Sequence, residues 1–417
     1  MSSPKIPALV ALIRCKRARP SRPPAIHRGR LALPANRMQD RHLLPRNNLQ
    51  SDVLSVTGIE YLYLHAKSMP KKPPPCGLIR HSHSTMADVA ERAGVSKMTV
   101  SRAIKGGGQV SEESRKRIQA AIDELGYVLD QTAGAFSSKR SGFVAVILPS
   151  INNSNFADTA RGITASMTDS GRQLLLGYTD YRIEKEEKLV EAMRRRRPEG
   201  IILTGGSHTE RTRQLLAAAA APVIETWDLP DKPIDHVVGF SNIDAASAIV
   251  HRLHERGYRN IAFIGGTSNR DDRGAERRLG YTKAIEELGL PRGRVVSFGE
   301  PPISMEQGAE AIVHLVQQWP DVDAAVCVSD LSAFGAVMEC QRRGWAVPKR
   351  IAVAGFGDFD VSRCCHPRIT TVAVDGQEIG RAAGDLLIRS IDAAHKGLRL
   401  PAETVLIPFQ VVEREST

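Results

Sequence analysis

The side chains best placed to do chemistry in this chain are Lys97, Met98 and Arg102, with Ser96, Thr99 and Ser101 interleaved among them. The two cations lie about one helical turn apart. An arginine fork matches the two acceptors on a guanine edge, an apolar side chain fits a thymine methyl group, and short hydroxyls suit phosphate oxygens. The pattern therefore points to base-pair edges rather than to a reaction. No GxGxxG or Walker-type loop occurs, and the six cysteines show no CxxC or Cys/His metal spacing. His251 and His254 sit three apart with no third ligand in view. No nucleophile–base set is visible. The chain reads as a non-enzyme without metal or cofactor.

These residues need a scaffold, and the flanking sequence supplies one. Thr85-Met86-Ala87-Asp88 has the pattern of a capping box, with Val89 and Ala93 following on one helical face. Gly94-Val95 makes a turn, and Ser96 caps a second helix with Val100 and Ile104 inward. Ser111 opens a third helix, carrying Ile118, Ile122 and Leu125 on one stripe and stopped by Gly126. Two short helices about a glycine turn form a helix-turn-helix, whose second helix enters the major groove. The head is expected over residues 85–128.

The net charge of +11 does not itself argue for nucleic acid, because it is localised. Residues 1–84 hold 15 Lys+Arg, 3 Asp+Glu and 11 of the 24 prolines. They read as a disordered basic extension, or as a start codon called too far upstream, with Met69 an internal candidate. Residues 85–130 carry seven basic and seven acidic side chains. DNA binding must then use a local cluster: Lys97, Arg102, Lys105, Arg115, Lys139 and Arg140. One such head binds weakly, so a homodimer or larger assembly on a palindrome is expected. No apolar run reaches membrane-spanning length, and the cysteines suit a reducing, cytoplasmic setting.

From Phe143 short apolar strands alternate with amphipathic helices. The strands are read at 143–148, 173–178, 200–204, 223–226, 260–264, 295–298, 324–328 and 351–355. Helices are expected at 156–170, 184–195, 243–256, 276–288, 304–318 and 331–342. This alternation implies parallel sheets covered on both faces, and the strand count implies two doubly wound lobes over residues 142–417.

The run Thr85–Arg102, with Val110-Ser111-Glu112-Glu113-Ser114-Arg115 and Glu124-Leu125-Gly126-Tyr127, resembles the head of the lac-repressor/gal-repressor family of transcription regulators. The resemblance implies that Lys97, Met98 and Arg102 read the operator. It places Thr85, Ala87, Gln109 and Tyr127 among the further DNA contacts. Residues 129–141 match the family's hinge helix, which wedges an apolar side chain into the minor groove. Phe136 stands at the wedge position, where Leu is usual, and Asp130 where Asn is usual. Gly134 lies within this segment and costs about 1 kcal/mol of helix propensity.

The remainder, Gly142 to Val412, resembles the family's body, a fold like the periplasmic sugar-binding proteins with an effector between two α/β lobes. Its anchors are 199–203, 257–266, 277–281 and 367–372. The resemblance implies an effector site drawn from Arg277, Ser329, Asp330, Asp358, Ser150, Asn152 and Phe156. Ser329 departs from the usual Asn, and Gly357 holds the position aligned with the family's ligand Asp. Glu225 projects from a strand end and is a candidate for hydroxyls. Lys97–Arg102, 148–153, 238–242 and 339–342 are most similar to the gluconate-utilisation repressors. That likeness implies gluconate or its 6-phosphate as effector, with Arg277 on the carboxylate. The rival reading is a sugar-binding or sugar-modifying protein with a vestigial head.

Overall fold

The computed structural model describes residues 84–104, 106, 110–128, 141–267 and 270–417. The expectations for residues 1–83, for Lys105 and Gln109, and for the hinge with Asp130, Gly134, Phe136, Lys139 and Arg140 lie outside them.

The head is three helices: α1 (Met86–Ala93), α2 (Lys97–Ile104) and α3 (Glu112–Leu125). Its start is a capping box. The Asp88 N–H donates to the Thr85 hydroxyl, and the Thr85 N–H donates to the Asp88 carboxylate at 2.7 Å. Gly94 ends α1 at φ 65°, a left-handed turn that costs glycine nothing. Val89, Val100 and Ile118 meet as the small core. The Ser84 hydroxyl donates to the Leu125 carbonyl at 2.7 Å and ties the entry of α1 to the exit of α3.

The rest of the described chain builds two six-stranded sheets. The first holds β1 (Phe143–Leu148), β2 (Gln173–Tyr178), β3 (Gly200–Thr204), β4 (Val223–Thr226), β5 (His236–Gly239) and β11 (Thr404–Leu406), in the order β11-β5-β4-β3-β1-β2. The second holds β6 (Ile261–Gly265), β7 (Val295–Ser297), β8 (Ala324–Cys327), β9 (Ala352–Phe356), β10 (Thr370–Val374) and β12 (Phe409–Val412), in the order β12-β10-β9-β8-β6-β7. Every pairing is parallel except β12 against β10. Central strands such as β3, β6 and β9 are buried along their whole length, which is why they read as unbroken apolar runs. The two-lobed parallel architecture expected from the alternation is the one observed.

Four strands and three helices escape that alternation. Strands β5 and β11 have four and three residues, too few to show a period. The helix Gly376–His395 carries glycines at 376, 380 and 384, which lower its intrinsic propensity. Packing explains them. This helix crosses α4 (Ser154–Met167) so closely that a Cβ on Gly380 would lie 2.1 Å from the Thr159 carbonyl oxygen.

The chain passes between lobes three times. After β5 it enters α7 (Asn242–Glu255), which packs on α8 (Asp272–Glu287) of the second lobe. Helices α5 (Ile183–Arg194) and α6 (Glu210–Ala217) precede α7 in the first lobe. The second lobe continues with α9 (Met305–Gln318), α10 (Asp330–Arg342) and α11 (Asp360–Cys364). After β10, α12 (Gly376–His395) returns to the first lobe, and Ile407-Pro408 crosses once more between β11 and β12. Phe240 sits at the first crossing, 6.0 Å from the Trp227 ring and stacked on Phe356 at 6.3 Å. Among the described residues no helix is long and apolar enough to cross a membrane.

Candidate functional site

On the head, α2 turns Lys97, Met98 and Arg102 outward, and Met98 keeps 62% of its surface exposed. Ser96 is spent locally. Its hydroxyl accepts from the Thr99 N–H at 3.2 Å and lies 2.9 Å from the Thr99 hydroxyl. Ala87, Thr99, Ser101 and Tyr127 are half-buried beside it. The Thr85 hydroxyl donates to Asp88 at 2.8 Å, so its first task is the helix cap. Arg92 on α1 bridges Glu124 on α3 at 2.7 Å, and Arg115 donates to the Ala103 carbonyl at 3.3 Å, which braces α2 from behind.

Between the lobes lies a cavity at the carboxyl ends of the strands, where open α/β sheets bind ligands. Arg277, Phe156 and Ser329 of the sequence reading are on its wall. Arg277 rises from α8. Its Nε donates to the Asn242 side-chain oxygen at 2.9 Å, its Nη1 donates to the Val328 carbonyl at 2.9 Å, and its guanidinium stacks 3.7 Å over the Phe356 ring. Burial, helped by neighbouring Arg273, pulls its pKa down to about 10, still cationic at neutral pH. Asn242 is fully buried and also donates to the Trp227 carbonyl at 3.0 Å. One amide at the first crossing thus joins the cationic wall of the second lobe to the first.

The first turn of α8 reaches across the cavity. Arg273 is 6% exposed and lies 5.9 Å from the Phe156 ring and 5.8 Å from the Tyr181 ring, both of the first lobe. Gly205, at a φ of 97° that favours glycine, passes close enough that a Cβ there would sit 2.9 Å from the Arg273 guanidinium. Burial opposes the charge on Arg273, but Asp271, Tyr181, Asp228 and Asp272 outweigh it and raise its pKa. The buried Oδ1 of Asp271 is ion-paired with the Arg273 guanidinium at 3.4 Å, outside hydrogen-bond geometry. Burial raises Asp272, which shares a hydrogen bond with Ser207 of the first lobe. Burial, then the charge and hydrogen bond of Asp228, pushes Glu276 up to about 8.

The other expected effector residues are not on this wall. Glu225 is fully buried inside the first lobe. It accepts from the Ile234 N–H at 2.6 Å and faces His208 Nε2 at 3.3 Å. The assignment of Glu225 to ligand hydroxyls is corrected accordingly, since both its oxygens serve the protein. Asp330 is fully buried as well; it accepts from the Phe359 N–H at 2.7 Å and the Thr371 hydroxyl at 2.6 Å. It fastens the turn after β8 to β10. Asp358 is paired with Arg414 and faces a separate hollow near the crossings. The Ser150 hydroxyl accepts from the Asn152 N–H at 3.1 Å within a turn, and Asn152 points to solvent.

Sequence reasoning missed Asp271, Arg273, Tyr181, Trp227 and Asn242. Two signals were available. Asp271-Asp272-Arg273 opens the very helix that carries Arg277, and Trp227 immediately follows a strand. The third signal is structural: Trp227 holds a left-handed φ of 70°, unusual for a bulky residue and frequent at functional sites.

A helix-turn-helix head and a body of two parallel-sheet lobes together define a class, the transcription regulators that join a DNA-binding head to an α/β body. Comparison with known proteins narrows it. Residues 85–130 match the model for bacterial regulatory proteins of the lacI family, and residues 250–417 match the periplasmic binding protein-like domain. The chain is 34% identical over 313 residues to the HTH-type transcriptional regulator GntR of Escherichia coli, covering 75% of this chain and 93% of that one. It is 34% identical over 333 residues to GntR of Pseudomonas aeruginosa, covering 80% and 95%. A crystal structure of a LacI-family transcriptional regulator from Silicibacter pomeroyi superposes with a TM-score of 0.73 at 32% identity, over 80% of this chain and 99% of that one. The protein belongs to the LacI family of transcription regulators.

Proposed function

We propose that this regulator is a repressor that grips a palindromic operator as a homodimer and lets go when a sugar acid binds between its lobes. The head comprises residues 85–128, the hinge 129–141 and the effector body 142–417. Lys97, Met98 and Arg102 read base edges, and Ser96, Thr99, Ser101, Ala87, Tyr127 and Gln109 meet the backbone. Phe136 is the minor-groove wedge. The effector is gluconate or its 6-phosphate. The protein catalyses no reaction and works in the cytoplasm.

The observation that carries this reading is Arg277. Its guanidinium is fixed on two sides by Asn242 and the Val328 carbonyl and from below by Phe356, which leaves its outer edge for a carboxylate in the cavity. Because Asn242 belongs to an interlobe crossing, a ligand pulling on Arg277 also pulls on the lobe geometry. Coupling must be reciprocal, so the operator weakens the effector by the factor with which the effector weakens the operator.

The test is a gel shift on the DNA flanking the protein's own gene, with and without gluconate. The expected result is a retarded band on a fragment carrying an inverted repeat, which weakens as gluconate is added. Unchanged operator affinity across millimolar gluconate and related acids would falsify the inducer assignment.

A further inference from the structure

We propose that the body carries a second DNA contact: Arg196 and Arg197, at the edge of the first lobe where the chain arrives from the head, meet backbone phosphates of the duplex that the head engages. The inference rests on the operator-binding reading above and adds to it a surface outside the helix-turn-helix.

The four consecutive arginines Arg194–Arg197 run off the end of α5. Cations at a helix C-terminus ordinarily answer the helix dipole and nearby acids. Here the first two meet that need. Arg194 donates to the Ala218 carbonyl at 3.0 Å, and Arg195 pairs with Glu191 at 2.9 Å. Arg196 and Arg197 lie beyond the helix, are exposed, and have no side-chain partner among the described residues. The next acid along the chain, Glu199, cannot serve them: it accepts from Arg172 Nε at 3.0 Å and from the Gly142 N–H at 2.8 Å. Arg197 also holds a φ of 51°, a left-handed conformation that glycine adopts freely and a side chain resists. A turn that glycine would make more easily carries a guanidinium instead, and such strain collects at functional positions.

Position supplies the partner. The Glu199 N–H donates to the Phe143 carbonyl at 2.8 Å, so the arginines stand beside the start of β1. Only residues 129–140 lie between the head and Ser141, a contour length of at most roughly 45 Å. A duplex held by the head is thereby tethered to this edge. Lys396 and Asp169, one exposed charge of each sign, follow α12 and α4 on the opposite face of the sheet and leave the α5 side basic. Exposed charges act over only about 8 Å in physiological salt, so these cations work by touching phosphates.

Fluorescence anisotropy of the full-length protein on a duplex carrying its inverted repeat, and on random-sequence duplex, between about 50 and 200 mM salt, tests this. The double variant Arg196→Gln/Arg197→Gly is expected to bind both duplexes about tenfold more weakly at low salt. Its plot of log affinity against log salt should be shallower by about 2, one phosphate contact for each protomer of a dimer. The ratio between the two duplexes should stay within about twofold, because phosphates carry no sequence. Arg196→Lys/Arg197→Lys should bind within about threefold of the native protein, since lysine serves phosphate as a point charge. Arg197→Gly alone should melt no lower than the native protein, so its weaker binding cannot come from unfolding. Unchanged affinity and slope in the double variant overturn the proposal, as does a loss that lysine fails to rescue or early melting of Arg197→Gly. A native protein that binds neither duplex is a different failure: it sinks the operator-binding reading itself.

Discussion

The recognition surface of the head and the cleft of the body solve opposite problems. On α2 the side chains that would touch a partner are exposed and make few bonds to the protein, with Met98 at 62% exposure the extreme case. In the cleft Arg277 and Arg273 are already engaged with the protein. Arg277 holds Asn242 and Val328, and Arg273 is wedged between aromatic rings of the opposite lobe. A surface of the first kind can change its specificity without changing its fold. A site of the second kind cannot bind anything without also perturbing the structure, which is what a sensor requires.

The largest effect should come from the exposed side. Replacing Lys97, Met98 and Arg102 together with alanine should lower operator affinity by more than about 1,000-fold, at 1–3 kcal/mol for each good base contact. Fluorescence anisotropy reads the loss, and the melting free energy should move by less than about 0.5 kcal/mol, as for surface substitutions generally. Early melting of this variant would break the contrast between the two regions.

The buried side should behave in reverse, and His208 is its sharpest probe. Its ring is fully buried, with Nδ1 2.6 Å from Glu186 and Nε2 3.3 Å from Glu225. Burial opposes its charge, but hydrogen bonds to Glu186 and Glu225 push its pKa up to about 9. His208→Gln should cost about 3–5 kcal/mol by leaving buried carboxylates uncompensated. In the native protein this stabilisation is complete below about pH 6.5 and is lost as the pH rises through about 9. Denaturant melts across that window should show the decline, and the variant should lack it.

Arg277→Ala should cost about 2–3 kcal/mol of stability through the stranded Asn242 oxygen and the bared Phe356 face. It should also abolish the response to gluconate while operator binding persists. A variant that still responds would show that the carboxylate is held elsewhere. The smallest effect is expected at Arg92→Ala, since its bridge to Glu124 is more than half exposed on both sides. A loss under about 1 kcal/mol in thermal melts is expected there.

The same contrast governs what could be read from the sequence. The head is written contiguously: the Thr85/Asp88 box, the Gly94 turn and the Val89, Val100 and Ile118 core all follow from local spacing. The architecture of the lobes was legible from their buried strands, which are unbroken apolar runs, although β5, β10, β11 and β12 were not read. The cleft was legible only in part. Arg277 and Phe156 stood out, but Asp271, Arg273, Trp227 and Asn242 become a site only when distant segments close on one another. Glu225 and Asp330 were misplaced for a related reason. A strand end fixes where a carboxylate starts, while its direction is decided by long-range partners such as His208, Phe359 and Thr371.

The three crossings have a consequence for how the chain is made. Strand β11 at the edge of the first sheet, and α12 with its glycine seam against α4, emerge only after all but one strand of the second lobe have been synthesised. The first lobe therefore leaves the ribosome with the edge of β5 unpaired and the flank of α4 uncovered, an invitation to aggregation. Slowing translation just before residue 376 should lengthen that exposure, and a chaperone that shields open sheet edges would have its main work here.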